Sequence, residues 1–238
     1  MQTIKEEMRE YWTERVEGFS QLRMKEFFGE KRQLWMAEFQ KVLPEDRTLN
    51  ILDLGTGTGY FAFLLAAQGH QVTGIDLTEG MIQEARREAE QLERPVCFHV
   101  MDAENPDYAP ESFDVLVTRN LTWALPNLPR AYANWQRLLK KGGMLINFDA
   151  DYCREDPARC IPENHAHKNI SPSWTASYEH MKEELRPLQR PRPAWDRELL
   201  DQAGFQDVQV DSGVWKRIYA QYDEFYNPTP IFMITAKT

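Results

Sequence analysis

Leu52-Asp53-Leu54-Gly55-Thr56-Gly57-Thr58-Gly59 reads as the end of an apolar strand, a carboxylate, and three alternating glycines ahead of a helix that starts near Tyr60. Glycines there permit a tight strand-to-helix turn and let a ligand touch the backbone without interference from a Cβ. The helix N-terminus beyond them offers free N–H groups. A dinucleotide fingerprint would run Gly-x-Gly-x-x-Gly, but here the third glycine comes one position early and Tyr60 stands where it is expected. No Gly-Lys-Ser/Thr follows, so a Walker loop is excluded. Asp53, directly before the loop, would repel a pyrophosphate but can accept hydrogen bonds from an ammonium group.

Around this loop, short apolar runs alternate with amphipathic stretches. The pattern predicts strand 49–54, helix 59–68, strand 71–76, helix 79–91, strands 96–101 and 113–118, helix 128–139 and strand 143–149. Lys140-Lys141-Gly142-Gly143 reads as a helix end, with cations at the negative pole and a glycine suited to the left-handed cap. Asp196 to Ala203 reads as a helix capped by Gly204, followed by strands 205–210 and 231–236. The alternation implies an α/β fold: a Rossmann-like, seven-stranded, mostly parallel sheet with helices on both faces. Four parts are expected: an N-terminal helical extension over 1–43, a cofactor-binding core over 44–150, a substrate cap inserted after the fifth strand over 151–193, and the rest of the core sheet over 194–238. The extension carries Trp12, Phe19, Phe27, Trp35 and Phe39 at helical spacing, which predicts two amphipathic helices ended by Pro44. The cap is rich in proline and aromatics, a composition unlike that of a linker.

Two further acids follow the first. Val72-Thr73-Gly74-Ile75-Asp76 ends a strand 17 residues after Gly59, where a carboxylate can accept both hydroxyls of a ribose. Met101-Asp102-Ala103 ends the next strand, placed to accept from an exocyclic amine such as that of adenine. Three carboxylates at three consecutive strand ends would line one crevice.

In these motifs the chain resembles the class I S-adenosylmethionine-dependent methyltransferases, particularly the small-molecule type, over about 49–149. The resemblance implies S-adenosyl-L-methionine as cofactor and S-adenosyl-L-homocysteine as product. It places Asp53, Gly55, Thr56, Gly57 and Gly59 at the methionine part, Asp76 and Leu77 at the ribose, Met81 near the adenine, and Asp102 with Ala103 at the adenine edge. By its type and place alone Met81 reads first as a core residue of its helix. Arg119-Asn120-Leu121-Thr122-Trp123 stands where the family carries its fourth motif, which puts Asn120 and Leu121 at the mouth between cofactor and acceptor. The Asp/Asn-Pro-Pro-Tyr/Phe signature of nucleic-acid amino-methylating enzymes is absent.

Methyl transfer from a sulfonium is an in-line displacement that needs alignment more than acid or base. A base matters only for an acceptor protonated near neutral pH. The catalytic candidates are Tyr11, Trp123, Tyr152, His165 and His167, with Trp12, Asp149 and Tyr178 also in the variable parts, and each taken singly reads first as packing or a solvated side chain. Cys153, Cys160, His165 and His167 match no tight metal-ligand spacing, so no metal is expected. Arg186, Arg190, Arg192 and Arg197 read as a solvated face or as a clamp for an anionic acceptor. A formal charge of −9 disfavours nucleic acid and anionic membrane surfaces, and no apolar run approaches the ~20 residues of a spanning helix. With three cysteines and no signal-like N-terminus, the expectation is a cytoplasmic monomer or homodimer acting on a small-molecule acceptor. The competing readings are an RNA or protein methyltransferase, a cofactor-binding regulatory protein without catalysis, and a nicotinamide oxidoreductase, which the glycine spacing opposes.

Overall fold

The computed structural model describes residues 3–155, 160–165, 170–219 and 221–238. Its sheet has seven strands: β1 (Asn50–Leu54), β2 (Gln71–Asp76), β3 (Val96–Val100), β4 (Phe113–Arg119), β5 (Leu139–Asp149), β6 (Gln206–Asp211) and β7 (Phe232–Lys237). Their order is β3-β2-β1-β4-β5-β7-β6, with β7 antiparallel to both neighbours and the remaining pairs parallel. The chain winds outward from β1 to β3 and then returns past β1 to β4. The gap between the ends of β1 and β4 is therefore a topological switch point, the place where open α/β sheets bind ligands.

Side chains alternate along the strands and bury two separate clusters. Ile51, Val115, Val117, Ile146 and Phe148 face one way, under α1 (Ile4–Phe28), α2 (Lys31–Gln40), α3 (Tyr60–Ala66) and α4 (Glu79–Gln91). Leu52, Leu54, Leu116 and Leu145 face the other, under α5 (Leu128–Leu138) and, later in the chain, Leu199 and Leu200 of a helix over 194–202. Trp35 anchors the first cluster, fully buried and edge-on to Phe61 (4.9 Å) and Phe148 (5.1 Å). Such pairs add about 0.5–1.5 kcal/mol each beyond their buried area.

The N-terminal extension folds as two helices, as its periodicity predicts. α1 starts in a capping box: Thr3 N–H donates to Glu6 Oε2 (2.7 Å), and Glu6 N–H donates to Thr3 Oγ1 (3.4 Å). The segment after β5 is not all loop. It contains α6 (Pro172–Leu185), which packs on α1 and which the proline-rich composition conceals; α7 (Ala194–Gln202) and the short α8 (Val214–Ile218) follow.

One expected helix cap is corrected. α5 ends at Leu138, and Lys140-Lys141-Gly142-Gly143 lies inside β5, opposite an irregularity in β4 between Phe113 and Val115. Gly142 does adopt φ +73°, but within β5, where the register with β4 shifts. Gly204, at φ +92°, closes α7 as expected.

Candidate active site

β1 delivers Asp53 and the glycine loop to the switch point. Gly55, Gly57 and Gly59 all have φ between +55° and +92°, a region that disfavours side-chain-bearing residues. Gly59 answers a packing demand as well, since a Cβ there would lie 2.6 Å from Phe63 and 3.0 Å from Phe98. Asp53 is 2% exposed and accepts from Thr56 Oγ1 at 2.6 Å. Burial pushes its carboxyl up to about 7, more than the Thr56 bond draws it down.

Asp76, at the end of β2, braces the loop. One oxygen accepts from Gly57 N–H (3.0 Å) and the other from Thr78 N–H (2.9 Å). Burial raises its pKa while these bonds oppose the rise. Asp102 follows β3: Oδ1 accepts from Glu104 N–H (2.9 Å), and Oδ2 accepts from Lys5 Nζ (2.7 Å), which also reaches Glu104 (2.6 Å). Lys5 belongs to α1 and was not singled out by the sequence. Ala103 is buried, and its carbonyl accepts from Trp135 Nε1 at 2.7 Å. Leu77 is half-buried just beyond β2. Met81 is buried on α4 outside both core clusters.

Across the switch point, β4 ends in Arg119, and Asn120 takes φ +55° to start the next turn. Asn120 Oδ1 accepts from the Tyr152 hydroxyl (3.1 Å), which itself accepts from Asn227 Nδ2 (3.0 Å). Trp123 packs edge-on against Tyr152 (5.5 Å) and Tyr178 (5.4 Å), and Tyr178 meets Tyr11 of α1 at 6.1 Å. The fold thus gathers Tyr11, Trp123, Tyr152 and Tyr178 into one aromatic group joining α1, the turn after β4 and the 150–193 segment.

Other candidates go elsewhere. His165 Nε2 lies 2.8 Å from the Tyr226 carbonyl, and His167 falls outside the described residues. Asp149 is fully buried and accepts from Thr122 Oγ1 (2.5 Å), Trp123 N–H (3.0 Å) and Ala150 N–H (2.7 Å), so it is a structural acid. Arg192 belongs to no solvated face: its side chain is fully buried against Asp196 (2.5 Å) and Asp149 (3.5 Å). Among the described residues no cluster of three potential metal ligands occurs.

Phe19 of α1 rests on the loop at Gly57, 3.0 Å from where a Cβ would stand, and Leu121 covers Gly55 at 2.8 Å. A ligand lying along the loop requires both side chains to shift. The donor and acceptor set nonetheless suits S-adenosylmethionine. Acids stand at or just beyond three adjacent strand ends, the loop glycines present no Cβ, and the Thr58 hydroxyl is buried with no hydrogen-bond partner among the described residues. A surface depression of about 610 Å3 lined by Leu43, Pro44, Gln68 and His70 opens where β1 and β2 begin, at the opposite end of the sheet.

The strand order and the loop define a Rossmann-like methyltransferase fold. Phosphoethanolamine N-methyltransferase 2 of Haemonchus contortus, solved with S-adenosyl-L-methionine, superposes with a TM-score of 0.69 at 18% identity, covering all of this chain and 60% of that one. An S-adenosylmethionine-dependent methyltransferase of Mesorhizobium loti gives 0.62 at 18% identity over 85% of this chain and 96% of that one. Residues 51–143 match the model of a methyltransferase domain. Aklanonic acid methyltransferase of a Streptomyces species is 36% identical over 146 residues, which is 58% of this chain and 62% of the relative. Ubiquinone biosynthesis O-methyltransferase of Coxiella burnetii is 32% identical over 97 residues, 41% of this chain and 42% of that one. The chain thus spans less than two thirds of the length of these curated relatives. Over residues 51–143 it is similar to the methyltransferase domain of these proteins.

Proposed function

We propose that the chain moves a methyl group from S-adenosylmethionine to a small-molecule acceptor, chiefly by positioning. The observation that carries this reading is the row of acids Asp53, Asp76 and Asp102 at or just beyond the ends of the neighbouring strands β1, β2 and β3, around the glycine loop. When bound, the cofactor supplies an electrophilic methyl on a sulfonium. Asp53 would accept from the methionyl ammonium, Asp76 from the ribose hydroxyls, and Asp102 with Ala103 would read the adenine edge. Asn120 and Leu121 stand between this groove and the acceptor.

The tyrosines do not act as bases at neutral pH. Burial raises the pKa values of Tyr11, Tyr152 and Tyr178, so all three keep their protons. They wall the acceptor and donate hydrogen bonds. Alignment alone can supply several kcal/mol of the barrier. A small acceptor is supported by the enclosing aromatics, by the charge of −9, and by relatives whose names carry aklanonic acid and ubiquinone.

Calorimetric titration with S-adenosylmethionine, S-adenosylhomocysteine and NAD tests the class of ligand. Binding of the first two and not of NAD is expected; NAD binding with silence toward the others would overturn the reading. Transfer of labelled methyl to RNA or protein, with none to a panel of small organic acceptors, would overturn the acceptor class.

A further inference from the structure

α1 turns different faces to different neighbours. Val16 and Ser20 meet α4: Val16 lies 3.1 Å from where a Cβ on Gly80 would stand, and Ser20 reaches Glu88 at 3.2 Å. Phe19 rests on the glycine loop at Gly57. Tyr11 and Arg15, four residues apart and so on one face, turn instead to α6. There the Arg15 guanidinium lies 4.9 Å from the centre of the Trp174 ring, and Tyr11 lies 6.1 Å from Tyr178. Tyr178 in turn meets Trp123 at 5.4 Å. A cation therefore borders the aromatic group to which the acceptor is assigned.

That cation has no acid of its own. Arg15 is 9% exposed, and among the described residues it forms no ion pair and donates no hydrogen bond; its Nε is buried without a partner. The acids of the α1–α6 junction are engaged elsewhere. Glu14 accepts from Trp174 Nε1 (2.7 Å), Glu7 lies 3.6 Å from His180 Nε2, and Glu155 and Glu179 hold Lys182 at 2.5 and 2.6 Å. The face of Trp174 offsets part of the cost of desolvating a guanidinium, but leaves the N–H donors in its plane unused. The hydroxyls of Tyr11 and Tyr178 likewise make no hydrogen bond among the described residues. A buried charge with unused donors costs free energy and calls for a partner.

We propose that Arg15, with the hydroxyls of Tyr11 and Tyr178, anchors an anionic group of the methyl acceptor, which is an aromatic small molecule carrying a carboxylate or a phosphate. The inference rests on the methyl-transfer reading above and narrows its acceptor class. The planar fork of a guanidinium matches the paired oxygens of either group, and the two phenols donate to the same oxygens. Trp174 and Tyr178 are half-buried, so their rings keep surface for the acceptor's aromatic body. Arg15 precedes Phe19 by about one turn, about 6 Å along the helix axis, which sets the anchor apart from the side chain on the glycine loop. The acceptor is thus held by an end remote from its reacting atom, and that binding serves alignment. In a chain of net charge −9 the overall field gives an anion no help, so its recognition has to be local.

Protein saturated with S-adenosylhomocysteine is titrated calorimetrically with 4-hydroxybenzoate, 4-hydroxyphenyl phosphate and the neutral 4-hydroxybenzamide. The wild type is expected to hold at least one of the two anions about 10-fold more tightly than the amide, and the tighter anion tells carboxylate from phosphate. Arg15→Met keeps an unbranched stem against Trp174 and gives up no hydrogen bond; it abolishes the preference while binding the amide and S-adenosylhomocysteine as the wild type does. Arg15→Lys keeps part of the preference. A wild type that binds the amide as tightly as either anion, or that holds none of the three, overturns the inference, as does a preference that survives in Arg15→Met. If Arg15→Met instead loses affinity for S-adenosylhomocysteine about 10-fold, the guanidinium serves the cofactor, and the inference fails while the cofactor reading stands. A wild type that does not bind S-adenosylhomocysteine overturns the cofactor reading and this inference with it.

Discussion

Asp53 carries a consequence of its burial that can be read in a titration. A carboxyl held near 7 by desolvation is partly protonated in the free protein at neutral pH. An ammonium group placed beside it favours the ionised form, so ligand binding expels the proton. Around pH 6.5 the calorimetric heat of S-adenosylhomocysteine binding will change with the ionisation enthalpy of the buffer, by a sizeable fraction of one proton. Asp53→Asn will remove that dependence. Heats that do not vary with buffer in the wild type would show that Asp53 is not the ammonium partner. At this scale the placement of the three acids was legible, because Asp53 and Asp76 sit at the ends of β1 and β2 and Asp102 lies two residues beyond β3, all sequence-local positions. Glu26 and Arg119 were not, since their contact spans 93 residues and no local spacing announces it. The one available signal was a charged residue ending the otherwise apolar run Val115-Leu116-Val117.

Among the elements, α1 links most of these parts. It holds Asp102 and Glu104 through Lys5, packs Phe19 on the glycine loop, offers Ser20 to Glu88 of α4 at 3.2 Å, and reaches Arg119 through Glu26. Its first turns are fastened by Lys5, a partly exposed pair worth about 0.5–1 kcal/mol after solvent screening. Lys5→Met will therefore lower the melting temperature by only about 2–4 °C while hydrogen exchange over residues 4–12 speeds up several-fold. Unchanged exchange there would mean that packing alone holds the helix start. Elements were readable wherever punctuation was unambiguous: strand 71–76 and helix 79–91 occur with the bounds their patterns predict. α6 was hidden because its buried residues are only Met181, Lys182 and Leu185, too few for an apolar stripe, in a stretch broken by prolines. Gly142 misled for a different reason, since a positive φ serves a helix cap and an irregular strand register alike. Arg192 was misplaced because a run of arginines among prolines resembles a solvated face, although its acid Asp196 lies only four residues on.

Across the whole molecule, two sets of buried acids pull stability in opposite directions with pH. For Glu26, burial alone would raise the pKa, but Arg119 and Arg23 outweigh it and hold the group below its usual 4.5. Glu38, with Arg217 and Lys41, and Asp114, with Asn50 N–H and Lys140, behave alike. A depressed carboxyl contributes stability that is present above its unfolded pKa and lost as pH falls through the folded one, so this set fails below about pH 4. Asp53, Asp76 and Asp149 are raised instead, chiefly by burial. Their folded forms bind protons more tightly than the unfolded chain does, so stability declines as pH rises from about 4 towards the folded value, about 7 for Asp53. The ligand-free protein is thus expected to melt highest in mildly acidic buffer and to lose several degrees between about pH 5.5 and 7.5. Asp53→Asn will flatten that decline without moving the acid limb, which belongs to Glu26 and its like. Saturating S-adenosylhomocysteine will flatten it too, because the ammonium then compensates the ionised Asp53. A wild-type melting temperature that climbs steadily from pH 5.5 to 7.5 would show that the raised acids do not govern this window. Stability and ligand binding would then be uncoupled at Asp53, and the groove would have to be held open to protons by solvent that the packing of Phe19 and Leu121 excludes.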